Sequence, residues 1–287
     1  MLREFAAVAS LAMLAMTAAI GVQRQHLAAL PRFESAVPVA AGSAPGPPPA
    51  RTPRLPHLIH AAAAFPLAAP ARPGPSGDDV AGRVRAAVPR ALMGYFDLYL
   101  YVSKAAAGPW AQHMYVFRSA GDGGLQFEQS FPVSTGRELQ EKYFTSTPAG
   151  LFELDPERFD RVHFSHRWHN APMPWAMFLN YTIRSHPTGV ALHSAVGHLA
   201  DLGHRASGGC VRMPPERAEE LFRRIQATEN GRVPVFAMDG STTDKTGRIA
   251  LDADGAPMFV QGYKVLLIIE DYPGAPVVVA TLSVSQG

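Results

Sequence analysis

A proline-rich stretch divides this chain before any other feature does. Twelve of the 26 prolines fall between Pro31 and Pro75, including the run Pro47-Pro48-Pro49, and alanine fills much of the rest. Proline lacks an amide hydrogen and favours extended chain, so this stretch builds neither helix nor sheet. Residues 23–90 are therefore expected to be a disordered linker. Residues 1–22 differ again. Arg3 precedes an uncharged apolar run from Phe5 to Ile20, with the small residues Thr17 and Ala19 placed for a cut after Ala19. That is the pattern of an export signal, or of an anchor that is kept. A packed fold has to come from the residues after about 90.

Those residues alternate in the manner of strands. Phe96, Leu98, Leu100 and Val102 interleave with Tyr95, Asp97, Tyr99 and Tyr101, which predicts a half-buried strand with Met114–Phe117 as its hairpin partner. Further strands are expected at Phe127–Ser134, Gly150–Leu154, Thr188–His193 and Gly231–Phe236. Helical spacing is clear once: Ala218, Leu221, Phe222 and Ile225 follow Pro214-Pro215 at i, i+3, i+4, i+7. The fold class is mainly β with a few helices. Residues 91–239 form the expected domain. Residues 240–287 are expected to add a C-terminal β extension, with Tyr263–Ile269 and Val277–Val284 as a hairpin.

A formal net charge of +2 and the lack of any Lys/Arg run give no reason to expect nucleic acid. A single cysteine excludes an internal disulfide. In an exported chain such a residue is either buried and inert or a reactive thiol. It stands in Ser207-Gly208-Gly209-Cys210-Val211-Arg212, just before the helix. Glycines allow a sharp turn and close approach of a ligand, and the amides of Gly209 and Cys210 are candidates for an oxyanion hole. His193, His198 and His204 precede the thiol, and any of them is a candidate base; His193, ending an apolar strand, is the most rigidly placed. The same three histidines with Cys210 are suitable zinc ligands by type, but their spacing matches no short zinc motif.

This segment resembles the L,D-transpeptidase catalytic domain, whose signature is a histidine followed later by Ser/Thr-His-Gly-Cys, an apolar residue and Arg or Asn. Pro132-Val133-Ser134-Thr135-Gly136, Thr147-Pro148-Ala149-Gly150 and Met173-Pro174-Trp175-Ala176-Met177-Phe178 resemble further pieces of that family. The histidine usual before the Gly-Cys pair is Gly208 here, and the spacing from His193 is slightly shorter. The resemblance implies a β-sandwich or barrel with the nucleophile loop beside a helix. It implies Cys210 as nucleophile, His193 as base, Ser194 or its carbonyl as the group orienting His193, and Gly209 in the catalytic turn. Arg212, Ser207, Gly208, Trp175 and Met177 would contact the substrate. The reaction implied is acyl transfer from stem residue three of peptidoglycan, with release of D-alanine and no metal or organic cofactor. Water as acceptor would make the chain an L,D-carboxypeptidase, and loss of activity would leave a wall-binding protein. The expected partners are peptidoglycan peptide stems, met in the periplasm or cell envelope. The N-terminus would serve as signal or membrane tether.

Overall fold

The computed structural model describes residues 75–121, 123–139 and 145–274. The expected export signal, most of the linker and the strand expected at Val277–Val284 lie outside them. In chain order the elements are α1 (Gly77–Ala87), β1 (Leu98–Ser103), β2 (His113–Ser119), β3 (Leu125–Pro132), β4 (Gly150–Phe152), β5 (Leu154–Ser165), β6 (Ala171–Leu179), β7 (Thr182–Ile183), β8 (His186–Pro187), β9 (Ala191–Ser194), β10 (Val211–Met213), α2 (Pro215–Thr228), β11 (Asn230–Pro234), β12 (Met238–Asp239), β13 (Thr242–Thr243), β14 (Phe259–Tyr263) and β15 (Val265–Glu270).

Two sheets carry the fold. One has the order β3-β2-β1-β15-β4 and the other β10-β9-β6-β5. Neither closes into a barrel, so of the two expected architectures the barrel is set aside. Between them lies one core. It takes Leu98, Leu100 and Val102 from β1, Leu267 and Ile269 from β15, Met177 and Leu179 from β6, Leu192 from β9 and Val211 from β10. α2 closes it with Ala218, Leu221, Phe222 and Ile225, the four positions its spacing singles out.

β1 is not half-buried as its alternation suggests. All six of its residues are buried, because Tyr99 and Tyr101 enter a second core with Tyr115, Phe117, Leu266 and Ile268. The tyrosine hydroxyls are satisfied there: Tyr99 donates to the Met93 carbonyl at 2.6 Å and Tyr101 to Glu270 at 3.0 Å. α1 covers this second core with Val80, Ala81 and Val84. It falls inside the stretch expected to be linker. Ser76 and Asp79 form a reciprocal capping box that starts it after the last proline.

The C-terminal strand is also more than an extension. β15 pairs in parallel with β1 from Leu98↔Val265 to Ser103↔Glu270, and antiparallel with β4. It therefore lies inside the first sheet, and a boundary at 239/240 would cut that sheet. Its five leading residues are buried. Each large aliphatic side chain fully buried contributes roughly 1.5–3 kcal/mol, so β15 helps hold the site-bearing region together.

Candidate active site

Strand register brings the chemistry onto one face of the second sheet. β10 pairs in parallel with β9, with Arg212 opposite His193 and Val211 opposite Leu192. Leu192, Val211 and Met213 point into the main core. Alternation then turns His193 and Arg212, and with them Cys210, to the opposite face. Ala191, Met173, Ala176 and Phe178 form a small apolar cluster there, and Cys210 packs against it.

His193 is buried, and its Nδ1 lies 2.8 Å from the Ser194 carbonyl oxygen. A carbonyl only accepts, so Nδ1 carries the hydrogen and Nε2 keeps the lone pair. Burial pulls the imidazole down to about 4, against the partly restoring bond to Ser194, with the Arg212 charge adding to the fall. The ring is therefore neutral at pH 7. Burial likewise raises the Cys210 thiol, opposed by a backbone hydrogen bond at Ala191 and by the charges of Arg212 and Arg167. The thiol donates to the Gly189 carbonyl at 3.5 Å.

Cys210 is half-buried and opens onto a cavity of about 680 Å³. Gly208, Gly209, Thr147, Trp168, Arg167 and Lys245 are among its walls. Two of the motifs noted in the sequence meet at the turn before Cys210. The Thr147 hydroxyl accepts from the Gly136 amide at 2.7 Å and donates to the Gly209 carbonyl at 2.8 Å. Behind Thr147, Lys104 donates to its carbonyl and to Glu138, which also accepts from the Ser146 hydroxyl. Burial would raise the Glu138 carboxyl, but the bonds from Ser146 and Lys104 outweigh it and hold it low. Gln112 ties Thr135 from the other side, accepting from its amide at 2.9 Å.

The turn itself is fixed by Ser207. Its hydroxyl donates to the Cys210 carbonyl at 2.5 Å and accepts from the Gly209 amide at 3.1 Å. Gly209 has φ +116°, a conformation that L side chains rarely adopt. The Gly209 amide is thus committed within the turn, which corrects the expectation that it faces an oxyanion.

Three other expected contacts are placed elsewhere. Met177 is fully buried in the main core, paired with Leu192. Trp175 packs on Phe222 of α2 with ring centroids 5.3 Å apart, on the core side of β6. Its φ of +58° interrupts the alternation of β6, which is why Met173 and Ala176 share a face. Arg212 forms an ion pair with Asp201 at 3.0 Å and is absent from the cavity wall. Asp201 also pairs with His198 Nδ1 at 3.1 Å.

One wall residue had no sequence signal. Trp168 sits in a 3₁₀ turn between β5 and β6. A Cβ added at Gly208 would lie 2.6 Å from its ring. Where the resemblance expects an imidazole before Gly-Cys, this chain has the indole of a residue forty positions earlier in sequence.

The YkuD family, described as the L,D-transpeptidase catalytic domain, matches residues 99–279. No curated protein matches the chain. Among solved structures it is similar to an L,D-transpeptidase from Stackebrandtia nassauensis, with 20% identity over 44% of this chain and 50% of that one, and a TM-score of 0.32. It is similar to an L,D-transpeptidase from Xylanimonas cellulosilytica, with 16% identity over 64% and 63% of the two chains, and a TM-score of 0.33. A third is the helical cell shape determining protein Pgp2 from Campylobacter jejuni, with 16% identity over 62% and 49%, and a TM-score of 0.33. This chain thus spans about half the length of the first and third of these.

Proposed function

The chain belongs to the L,D-transpeptidase catalytic-domain family, and from that membership we propose that it is a cysteine acyltransferase acting on peptidoglycan peptide stems. The observation that carries the reading is the pairing of an open cavity on Cys210 with an imidazole, His193, fixed on the same sheet face in the tautomer a base needs. Cys210 is the nucleophile. Once released from the Gly189 carbonyl, its thiol gives its proton to His193 Nε2 as sulfur attacks the carbonyl of the L-centre at stem residue three. The S–C bond forms, the bond to terminal D-alanine breaks, and the imidazolium returns the proton to the leaving amine. An amine of a second stem then displaces the sulfur and restores the thiol, leaving a 3-3 cross-link.

Because burial favours the neutral form of both groups, the resting pair is thiol and imidazole rather than a preformed ion pair. Proton transfer therefore accompanies attack. Ser194 contributes its carbonyl, which orients His193. Ser207 shapes the turn through its bonds to Gly209 and Cys210. The substrate lies outside the cytoplasm, so the reading requires export to the periplasm or envelope. No helix among the described residues is long and apolar enough to cross a membrane.

Intact-mass spectrometry after exposure to a β-lactam, whose strained amide is an acyl donor, tests the nucleophile. One adduct is expected on the native chain and none on Cys210→Ala. Tetrapeptide-stem fragments should yield dimers with free D-alanine. Tripeptides without dimers would make water the acceptor. A native chain that takes no adduct and yields neither product would leave a wall-binding protein.

A further inference from the structure

The indole of Trp168 rests against the nucleophile turn, and its contact there is with a residue that has no side chain. A Cβ at Gly208 would meet Cε2 and Cζ2 at 2.6 Å and Nε1 at 2.8 Å. Real Cβ atoms do not come that close, so a side chain at 208 requires this ring or the turn to shift. No positive φ is recorded at Gly208, unlike Gly209. The glycine at 208 is thus a matter of space, and that at 209 a matter of backbone.

Trp168 is held where it is from two directions. Its 3₁₀ turn ends in a left-handed pair, His169 (φ +55°) and Asn170 (φ +56°), closed by the Asn170 amide on the Ser165 carbonyl at 3.0 Å. The Arg137 guanidinium lies over the ring, 5.6 Å from its centroid. Arg137 in turn is bonded to the nucleophile segment: its amide donates to the Ser207 carbonyl at 3.1 Å and its Nη1 to the Ala206 carbonyl at 3.5 Å. The β5–β6 turn, the 134–137 segment and the 206–210 segment therefore converge on one ring, and Trp168, Gly208 and Cys210 line the same cavity.

We propose that Trp168 is a positioning residue for the nucleophile. Resting on Gly208, the indole fixes the height of the Gly208–Cys210 turn and so the direction in which the sulfur meets an acyl carbonyl. The proposal deepens the reading of Cys210 as nucleophile and rests on it. Loss of the ring frees the turn and misaims the sulfur. A side chain at 208 has the same result by pushing ring and turn apart, but only while the ring is present. The two substitutions are therefore not additive.

The experiment measures the limiting rate and half-saturation concentration of β-lactam acylation by mass spectrometry, with Tm recorded for each protein. Trp168→Ala is expected to lower the limiting rate about tenfold with little change in Tm, and Trp168→Phe to recover most of it. Gly208→Ala is expected to lower the rate about as much in the native background. In Trp168→Ala it should change the rate less than about twofold. Equal losses from Gly208→Ala in both backgrounds would overturn the proposal. So would a Trp168→Ala protein with lowered Tm and an unchanged limiting rate. Should Gly208→Ala fail to fold, Trp168→Ala against Trp168→Phe decides alone: equal limiting rates in the two overturn it. A native chain that takes no adduct would instead refute the nucleophile reading.

Discussion

The two sheets of this molecule are built to different ends. The first is covered on both faces at its centre, where β1 is buried throughout and alternate residues of β1 and β15 serve two separate cores, while its edge strand β3 is largely exposed. The second is covered on one face by the main core, while the other carries His193, Arg212 and Cys210, of which Cys210 lines a cavity. Where both faces are packed, each side chain has one task, which is filling space. Where one face carries the candidate site, the fold must bury an imidazole, which opposes stability. Substitutions in the first sheet should thus change stability and leave chemistry per folded molecule alone. Those at His193 and Cys210 should do the reverse.

The largest test of that division is His193→Gln. Loss of a general base typically lowers rate 10²–10⁴-fold, and a loss of about that size is expected in β-lactam acylation. Stability should hold or improve on the acid side. The folded imidazole titrates near 4 and the unfolded one near 6.5, so the unfolded chain binds the proton first. Native stability is full above pH 6.5 and declines as pH falls toward 4, by up to about 3 kcal/mol. Denaturant titrations at pH 7 and pH 4.5 should show this decline in the native chain and lose it in the variant. The native acylation rate should fall on acidification around the same imidazole. A variant that keeps native rate would mean another group takes the proton.

Leu267→Ala in β15 probes the opposite region. The side chain is fully buried in the main core, and such a truncation costs about 2–5 kcal/mol. Chemical denaturation should show that loss, with acylation per folded molecule unchanged. An equal fall in both would mean that the two sheets are not separable in this way.

Glu153 lies where the chain passes from β4 to β5, between the sheets. It is buried, one carboxylate oxygen has no partner among the described residues, and burial pushes its pKa to about 8 despite a bond from the Phe236 backbone. Its sign is opposite to that of His193. The folded group keeps its proton up to about pH 8 and the unfolded one loses it near 4.5, so stability is full below 4.5 and declines as pH rises toward 8. Glu153→Gln should therefore gain about 3 kcal/mol at pH 7, and flatten stability between pH 5 and pH 8 (roughly the window those values set). A variant no more stable than the native chain at pH 7 would mean that the carboxylate is solvated there.

The comparison also explains what the sequence disclosed. The turn at Cys210 and the place of His193 at the end of an apolar strand were legible because their signals are local: glycines, a lone thiol and a short apolar run. α2 was legible because one face is apolar at helical spacing. β1 was misjudged because tyrosines that look fit for solvent are buried with their hydroxyls bonded to Met93 and Glu270. The place of β15 inside the first sheet was not legible, because its parallel partner lies more than 160 residues away, a pairing no local pattern records. α1 was hidden by its proline-rich neighbours, although Ser76 and Asp79 carry a capping signature. Trp175 and Met177 were misplaced because the face a strand residue takes depends on register and on the reversal at Trp175 itself. Trp168 gave no sign, since the residue its ring rests against lies forty positions away in sequence.

Arg212 offers the smallest effect and the sharpest distinction. It shares the open face with His193, yet its guanidinium is held by Asp201 and not by the cavity. If it only ties the segment around Asp201 to β10, Arg212→Gln should cost about 1 kcal/mol, as a partly exposed pair does. The half-saturation concentration for a tetrapeptide stem should then stay within about threefold, since no contact to a substrate carboxylate is lost. A small shift of the pH profile should accompany it. The Arg212 charge lowers both the imidazole and the thiol, so its removal should move the acid limb of the acylation profile upward and the alkaline limb upward as well. A half-saturation concentration raised about tenfold or more at unchanged limiting rate would instead show that Arg212 leaves Asp201 to bind substrate. The open face would then rearrange when the stem arrives.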